Sequence, residues 1–332
     1  MGKLLDIWIS GDLMCRLGTS QIKKISDKLR GMRNNIPVEF CRRPRSLRFL
    51  NSWKATEYRQ FLLYTGPIVL KSIISKDFYN NFLTLHVAIR ILSSRDFSDE
   101  SLLNYSKSLL TYFVNGFKLL YGEHLVSHNV HSLIHLTDDV RRFGSLESFS
   151  AFKFENYMQT LKKYIRKPER PLQQIARRYH EFQEYHTQKV YEDNCDNFDN
   201  DIEFSPCLST VHFDGPLFTS CGNPQFEKLK CGSAIINIRR EADRYCSLID
   251  GSIIYICNIA SLNGEAVIIG QRFKMMDDVY TIPCRSSFIG IYRVYDLASV
   301  QVWPVKNIKS KIFIISDTSS DTKIALPLLH LC

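Results

Sequence analysis

Residues 151–171 read Ala-Phe-Lys-Phe-Glu155-Asn-Tyr-Met-Gln-Thr-Leu161-Lys-Lys-Tyr-Ile-Arg166-Lys-Pro-Glu-Arg170-Pro171. The recurring apolar positions predict a short amphipathic helix with one carboxylate at its head, cationic turns after it, and a proline stop. On such a helix Glu155, Met158, Lys162 and Arg166 share a side, because residues three or four apart are neighbours. An acid backed by Lys and Arg on one stripe suits a group that holds a metal ion beside a nucleic-acid phosphate. The plainer reading of the same charges is an exposed, salt-bridged helix.

Upstream, the apolar spacing stays helical. The run from Pro67 to Leu92 places Leu70, Ile73, Ile74, Phe78, Phe82 and Leu85 at helical intervals, and Pro67 suits a first helical turn. Ser98-Asp-Glu-Ser opens a further helix that ends at Gly122, another piece spans about 126–140, and a last helix runs from Leu172 to about Tyr185. Downstream, composition changes. The acidic, Asn-rich stretch at 191–204 reads as a linker, and short β-branched runs follow it. Strands are expected at 233–238, 252–260, 265–269, 279–282, 288–294 and 311–315, with hairpin turns at Asp250-Gly251 and Asn263-Gly264. The expected fold is α+β: a mainly helical region 1–190, a linker 191–204, and a small barrel-like all-β domain 205–332.

Charge follows the same division. Residues 1–190 carry 30 Lys and Arg against 17 Asp and Glu, whereas residues 191–332 carry 13 against 17. The whole-chain charge of +9 is therefore concentrated in one half, which favours contact with a polyanion there. No segment is long and apolar enough to cross a bilayer, so no membrane association is expected. None of the 10 cysteines forms a C-x-x-C pair, and without a secretory leader they read as reduced, mostly buried thiols. P-loop, G-x-G-x-x-G, G-x-S-x-G and kinase signatures are missing, so ordinary hydrolase and nucleotide-cofactor chemistry has no footing.

Two kinds of site remain. His131 and His135 are four apart, a spacing at which two imidazoles can share Zn²⁺, although the metalloprotease glutamate is not between them. Neutral imidazoles engaged in packing explain the pair equally. Asp138 and Asp139 are expected to close that helix, an unfavourable end for acids. Cations cluster at Arg42, Arg43 and Arg45, and again at Lys162, Lys163, Arg166, Lys167 and Arg170, the second set interleaved with an aromatic. Both clusters suit contact with DNA backbone more than base reading.

The segment Phe154-Glu155-Asn156-Tyr157-Met158, continuing through Leu161-Lys162-Lys163-Tyr164-Ile165-Arg166 to Arg170-Pro171, resembles the end of the catalytic domain of CACTA (En/Spm-type) DNA transposases. The resemblance extends to His128–His135, to Phe40–Lys71 with Trp53-Lys-Ala-Thr-Glu57-Tyr-Arg-Gln-Phe61, and to Tyr280–Tyr292 with Trp303-Pro304-Val305. It implies an RNase H-like nuclease core interrupted by a helical insertion, and three carboxylates holding two Mg²⁺ ions. On this resemblance Glu155 is the third carboxylate, a catalytic and metal-binding position, and Lys162, Lys163 and Arg166 contact phosphate. The family's two aspartates precede the segment that resembles Met1–Gly11, and neither Asp6 nor Asp12 sits in their motif. A lone carboxylate holds divalent ions poorly, so this chain alone is expected not to be a competent nuclease.

The expected function is that of a transposase-derived, nuclear (otherwise cytoplasmic) protein with residual, non-specific DNA binding through its basic half. The alternatives are a scaffolding module whose β domain docks a protein partner, and part of an active Mg²⁺-dependent transposase.

Overall fold

Helical spacing in the first half becomes helices and the β-branched runs of the second become an antiparallel sheet, so the α+β class stands. The computed structural model describes residues 1–94, 99–193, 206–218, 221–232, 234–316 and 322–329, without the side chains of Lys153, Glu155, Asn156, Gln159 and residues 185–193. Residues 194–205, most of the expected linker, fall outside that description. Contacts gather Met1–Ser148 and Pro206–Cys332 into one unit and Phe149–Ser205 into another. The helices of Met1–Ser148 and the sheet share a core.

The first unit begins with α1 (Gly2–Ser10) and α2 (Thr19–Gly31), followed by the short α3 (Ala55–Gln60) and α4 (Gly66–Val69). The expected run from Pro67 to Leu92 is broken after α4. Ser72 adopts φ 62°, and the Ser75 hydroxyl accepts the Phe78 amide at 3.3 Å to start a new helix, α5 (Lys76–Ser93). Next, α6 (Glu100–Tyr121) ends as read from the sequence, at Gly122 with φ 98°. The piece at 126–140 divides into α7 (His128–His131), a tight turn over Ser132–His135, and α8 (Leu136–Phe143).

Between α3 and α4, Phe61–Thr65 forms a π-helical turn. Such turns free carbonyls from the helical ladder. Here His86 Nδ1 donates to the Leu62 carbonyl at 2.7 Å, and Arg90 Nη1 donates to the Leu63 carbonyl at 2.9 Å. Only glycine fits at position 66, where a Cβ would lie 2.5 Å from the Phe61 carbonyl and 2.6 Å from the Phe82 ring.

The sheet comprises β1 (Cys207–His212), β2 (Gly222–Cys231), β3 (Ala234–Asn237), β4 (Tyr245–Leu248), β5 (Ile253–Leu262), β6 (Glu265–Asp278), β7 (Tyr292–Pro304), β8 (Ile308–Ser316) and β9 (Lys323–Pro327). Its pairings run β1-β2-β5-β4-β8-β9-β7-β6, with β3 on β2 and a further β5–β6 pairing, so the path returns to β5. Gly251 (φ 85°) and Gly264 (φ 86°) make the two turns expected at those dipeptides. The stretch 279–282 is not a strand. The Val279 amide donates to Ser286 Oγ at 2.8 Å, and the Ser286 amide returns to the Tyr280 carbonyl at 2.9 Å. Its apolar character reflects burial of Val279 and Tyr280 in a turn.

β8 and β9 join the two halves of the core. Along β8, Phe313 and Ile315 pack with the helices, while Ile312 and Ile314 pack with Tyr245, Phe273 and Val294 on the sheet's other face. Burial on both faces explains a run of consecutive apolar residues where a half-exposed strand would alternate. Phe313 lies 5.3 Å from Phe40 and 6.0 Å from Tyr64, ring centroid to centroid, so helical segment and strand interlock through aromatics. No helix among the described residues is long and apolar enough to cross a membrane.

Candidate nucleic-acid interface

The second unit is built on α9 (Phe152–Lys163) and α10 (Pro171–Asp193). Lys162 and Lys163 occupy the last turn of α9, where the partial negative charge of the helix end favours cations. The helix stops there. Tyr164 and Ile165 amides close back on the Leu161 and Lys162 carbonyls at 3.1 and 3.2 Å, so Arg166 lies beyond the helix and not on its stripe. Gln174 then staples the connecting loop. Its Oε1 accepts the Arg166 and Lys167 amides at 3.0 and 3.2 Å, and its Nε2 donates to the Lys167 and Glu169 carbonyls at 2.8 and 2.6 Å. One amide side chain thereby satisfies four backbone groups that a loop would leave to water.

The cations of the α9 end and of the stapled loop face solvent. Lys162, Lys163, Arg166, Lys167 and Arg170 are exposed, and Arg170 sits at φ 49°. No ion pair is formed by these five among the described residues, whereas Arg177 nearby pairs with Glu181 at 2.9 Å. Exposed, unpaired ammonium and guanidinium groups on a fixed loop can neutralise phosphates without first breaking an internal salt bridge. The backbone of Glu155 lies in the first turns of α9, while its side chain falls outside the described residues.

Of the first basic cluster, Arg42 and Arg43 are exposed and Arg45 is committed to the fold. Arg45 grips Glu57 with two parallel bonds of 2.6 and 2.7 Å, and also reaches Ser52 Oγ and the Ser52 carbonyl. Burial by itself would raise the Glu57 carboxyl, but bonds from Arg45 and the Lys54 amide, with the charges of Arg45 and Arg42, hold it below the usual range. Of the three arginines expected to contact DNA here, Arg45 is thus engaged with Glu57 and Ser52, whereas Arg42 and Arg43 are exposed.

The two histidines stand side by side in the first unit, with ring centroids 5.9 Å apart and both side chains exposed. The turn between α7 and α8 brings them together, in place of the single helical face expected. Among the described residues no group of three His, Cys, Asp or Glu side chains is placed to hold a metal ion. Asp138 and Asp139 fall in the first turn of α8, not its end, so the helix dipole favours them. Asp138 also accepts Lys107 Nζ at 3.0 Å and Arg141 Nη1 at 2.8 Å, which places it in a surface network tying α8 to α6.

Two features of the interface had no visible signal in the sequence. Gln174 is an ordinary helix residue until the loop folds over it. The apolar side chains of the helix pair are far more open than their spacing implies: Phe154 is 72% exposed, Met158 53%, Leu172 79% and Phe182 47%.

Residues 211–328, the end of β1 through the end of β9, match a family described only as a domain of unknown function (DUF8592). No curated protein and no solved structure matches the chain.

Proposed function

We propose that this is a transposase-derived nuclear protein that binds DNA non-specifically through phosphate contacts, with Lys162, Lys163, Arg166, Lys167 and Arg170 as the principal cations and Arg42 and Arg43 as a second group. The observation that carries the reading is the end of α9 and the stapled loop after it, whose five cations are exposed and form no ion pair among the described residues. The CACTA resemblance supports it, since the same segment there closes a DNA-processing core. We read α9 as the closing helix of a partial RNase H-like core, consistent with the uncovered Phe154 and Met158. We read the sheet, whose pairings return to β5, as the barrel-like domain.

In this reading Glu155 corresponds to the third carboxylate of a Mg²⁺ centre. Zn²⁺ at His131 and His135 remains a separate proposal, testable by metal content after purification without chelator. The test of the main proposal has two parts. Duplex DNA titrated at about 50 and about 200 mM salt should lose affinity steeply, because neutralised phosphates release counterions. Supercoiled plasmid with magnesium should stay intact; nicking that stops in Glu155→Gln would instead establish an active nuclease, and binding indifferent to salt would remove the phosphate reading.

A second reading, docking of a protein partner on the sheet, is favoured by Val211 (52% exposed) and Phe213 (70%) at the end of β1, the strand that closes one end of the pairing order. Capture of a partner that survives high salt but is lost in Phe213→Ser would support it.

A further inference from the structure

From the exposed rings carried by the same unit as the cationic run we infer that the helix pair of the second unit is a stacking surface for unpaired nucleobases, so that single-stranded polynucleotide is preferred over duplex. This deepens the DNA-binding proposal above and rests on it. Backbone contact to a duplex needs cations alone, and it does not explain aromatic side chains held in water. Phe154 is 72% exposed and Tyr157 42% on α9, and Tyr179 is 39% exposed on α10. Between Lys162 and Arg178, seven Lys and Arg stand against one acid. Phe154 precedes Lys162 by two helical turns, about 12 Å of axial rise. Exposed rings and a run of cations therefore share one small unit, the combination by which single strands are held: cations track the phosphates while aromatic faces receive the bases. Duplex bases are already stacked and offer no face to Phe154. Tyr157 contributes a further ring whose phenol is raised by partial desolvation and by its neighbours Tyr179 and Tyr164.

The test uses the full chain and three labelled probes of equal length: an oligothymidylate, an oligouridylate and a mixed-sequence duplex. The expected result is binding of a single strand about ten-fold tighter than the duplex at the same salt, with the two single-strand probes reporting whether the sugar matters. Phe154→Ala should cost about ten-fold in single-strand affinity and leave the duplex unchanged, and Phe154→Trp should restore it. Because Phe154 is largely in water, neither change threatens the fold. Duplex binding equal to or tighter than single-strand binding, or indifference to Phe154→Ala, overturns the inference while leaving salt-dependent duplex binding in place. Failure to bind any probe overturns both.

Discussion

The same residue types are used in opposite ways in the two units of this molecule. In the first unit, the Lys311 side chain is 0% exposed, and its ammonium is bound by Glu39 at 2.8 Å, Asp243 at 2.6 Å and the Ile235 carbonyl. All three of its protons are placed. Glu39 in turn accepts the Ile235 amide and Asp243 accepts the Val38 amide, each at 3.0 Å, so one buried cation pins the segment between α2 and α3 to β3, β8 and the turn before β4. Arg90 is likewise 1% exposed, donating to Leu63 and to Pro327 at the end of β9, with its guanidinium 5.5 Å from the Tyr64 ring. In the second unit, Lys162, Lys163 and Arg166 are exposed and form no ion pair among the described residues. Buried cations here specify which segments meet, whereas these exposed ones form no ion pair among the described residues. Total charge alone does not separate the two uses.

The sharpest way to break that contrast is Lys311→Met. Removing one member of a buried pair strands the other charges, and the expected cost is about 3–5 kcal/mol in chemical denaturation. A loss near zero would mean that water reaches Glu39 and Asp243. Arg90→Met should cost about 2–3 kcal/mol, since two carbonyls lose charged hydrogen bonds in a buried site. A smaller loss would show that the π-helical turn can close on itself.

Acid offers a third test. Burial, with the Arg90 charge beside it, pushes His86 down to about 3, against the ordinary ~6.5. Folded His86 therefore stays neutral while the unfolded chain takes up a proton, and stability should fall as pH drops from about 6.5 towards 3. His86→Gln, whose amide can still donate to the Leu62 carbonyl, should flatten that acid limb. An unchanged limb would assign the acid sensitivity to carboxylates such as Glu57, which is also held low. The smallest stability effect belongs to Lys162→Ala/Lys163→Ala/Arg166→Ala, expected within about 0.5 kcal/mol of the parent because these side chains make no ion pair among the described residues.

Local features of the fold were legible in the sequence where a single residue type enforces them. Gly122 ends α6, and Asp250-Gly251 and Asn263-Gly264 make their turns, because left-handed backbone is cheap for glycine. Non-local features were not. Lys311 and Glu39 lie 272 residues apart, and nothing near either marks the pair. β2 was missed because Pro224, Glu227, Lys228 and Lys230 dilute its alternation, and β4 because four residues carry little pattern. In the second unit the run of cations was visible in the sequence, and the structure leaves those side chains exposed. The bracing of the loop backbone by Gln174, and the pairing of Arg45 with Glu57, reach only eight and 12 residues along the chain, but no pattern of residue types marks them.

The most direct measurement is the salt dependence of duplex DNA binding by the parent and by Lys162→Ala/Lys163→Ala/Arg166→Ala, plotted as log affinity against log salt. The parent should give a steep negative slope, and the triple variant a slope shallower by about 2 to 3, close to one unit for each phosphate contact removed. Identical slopes in two equally stable proteins would contradict the assignment of this loop as the phosphate-binding element.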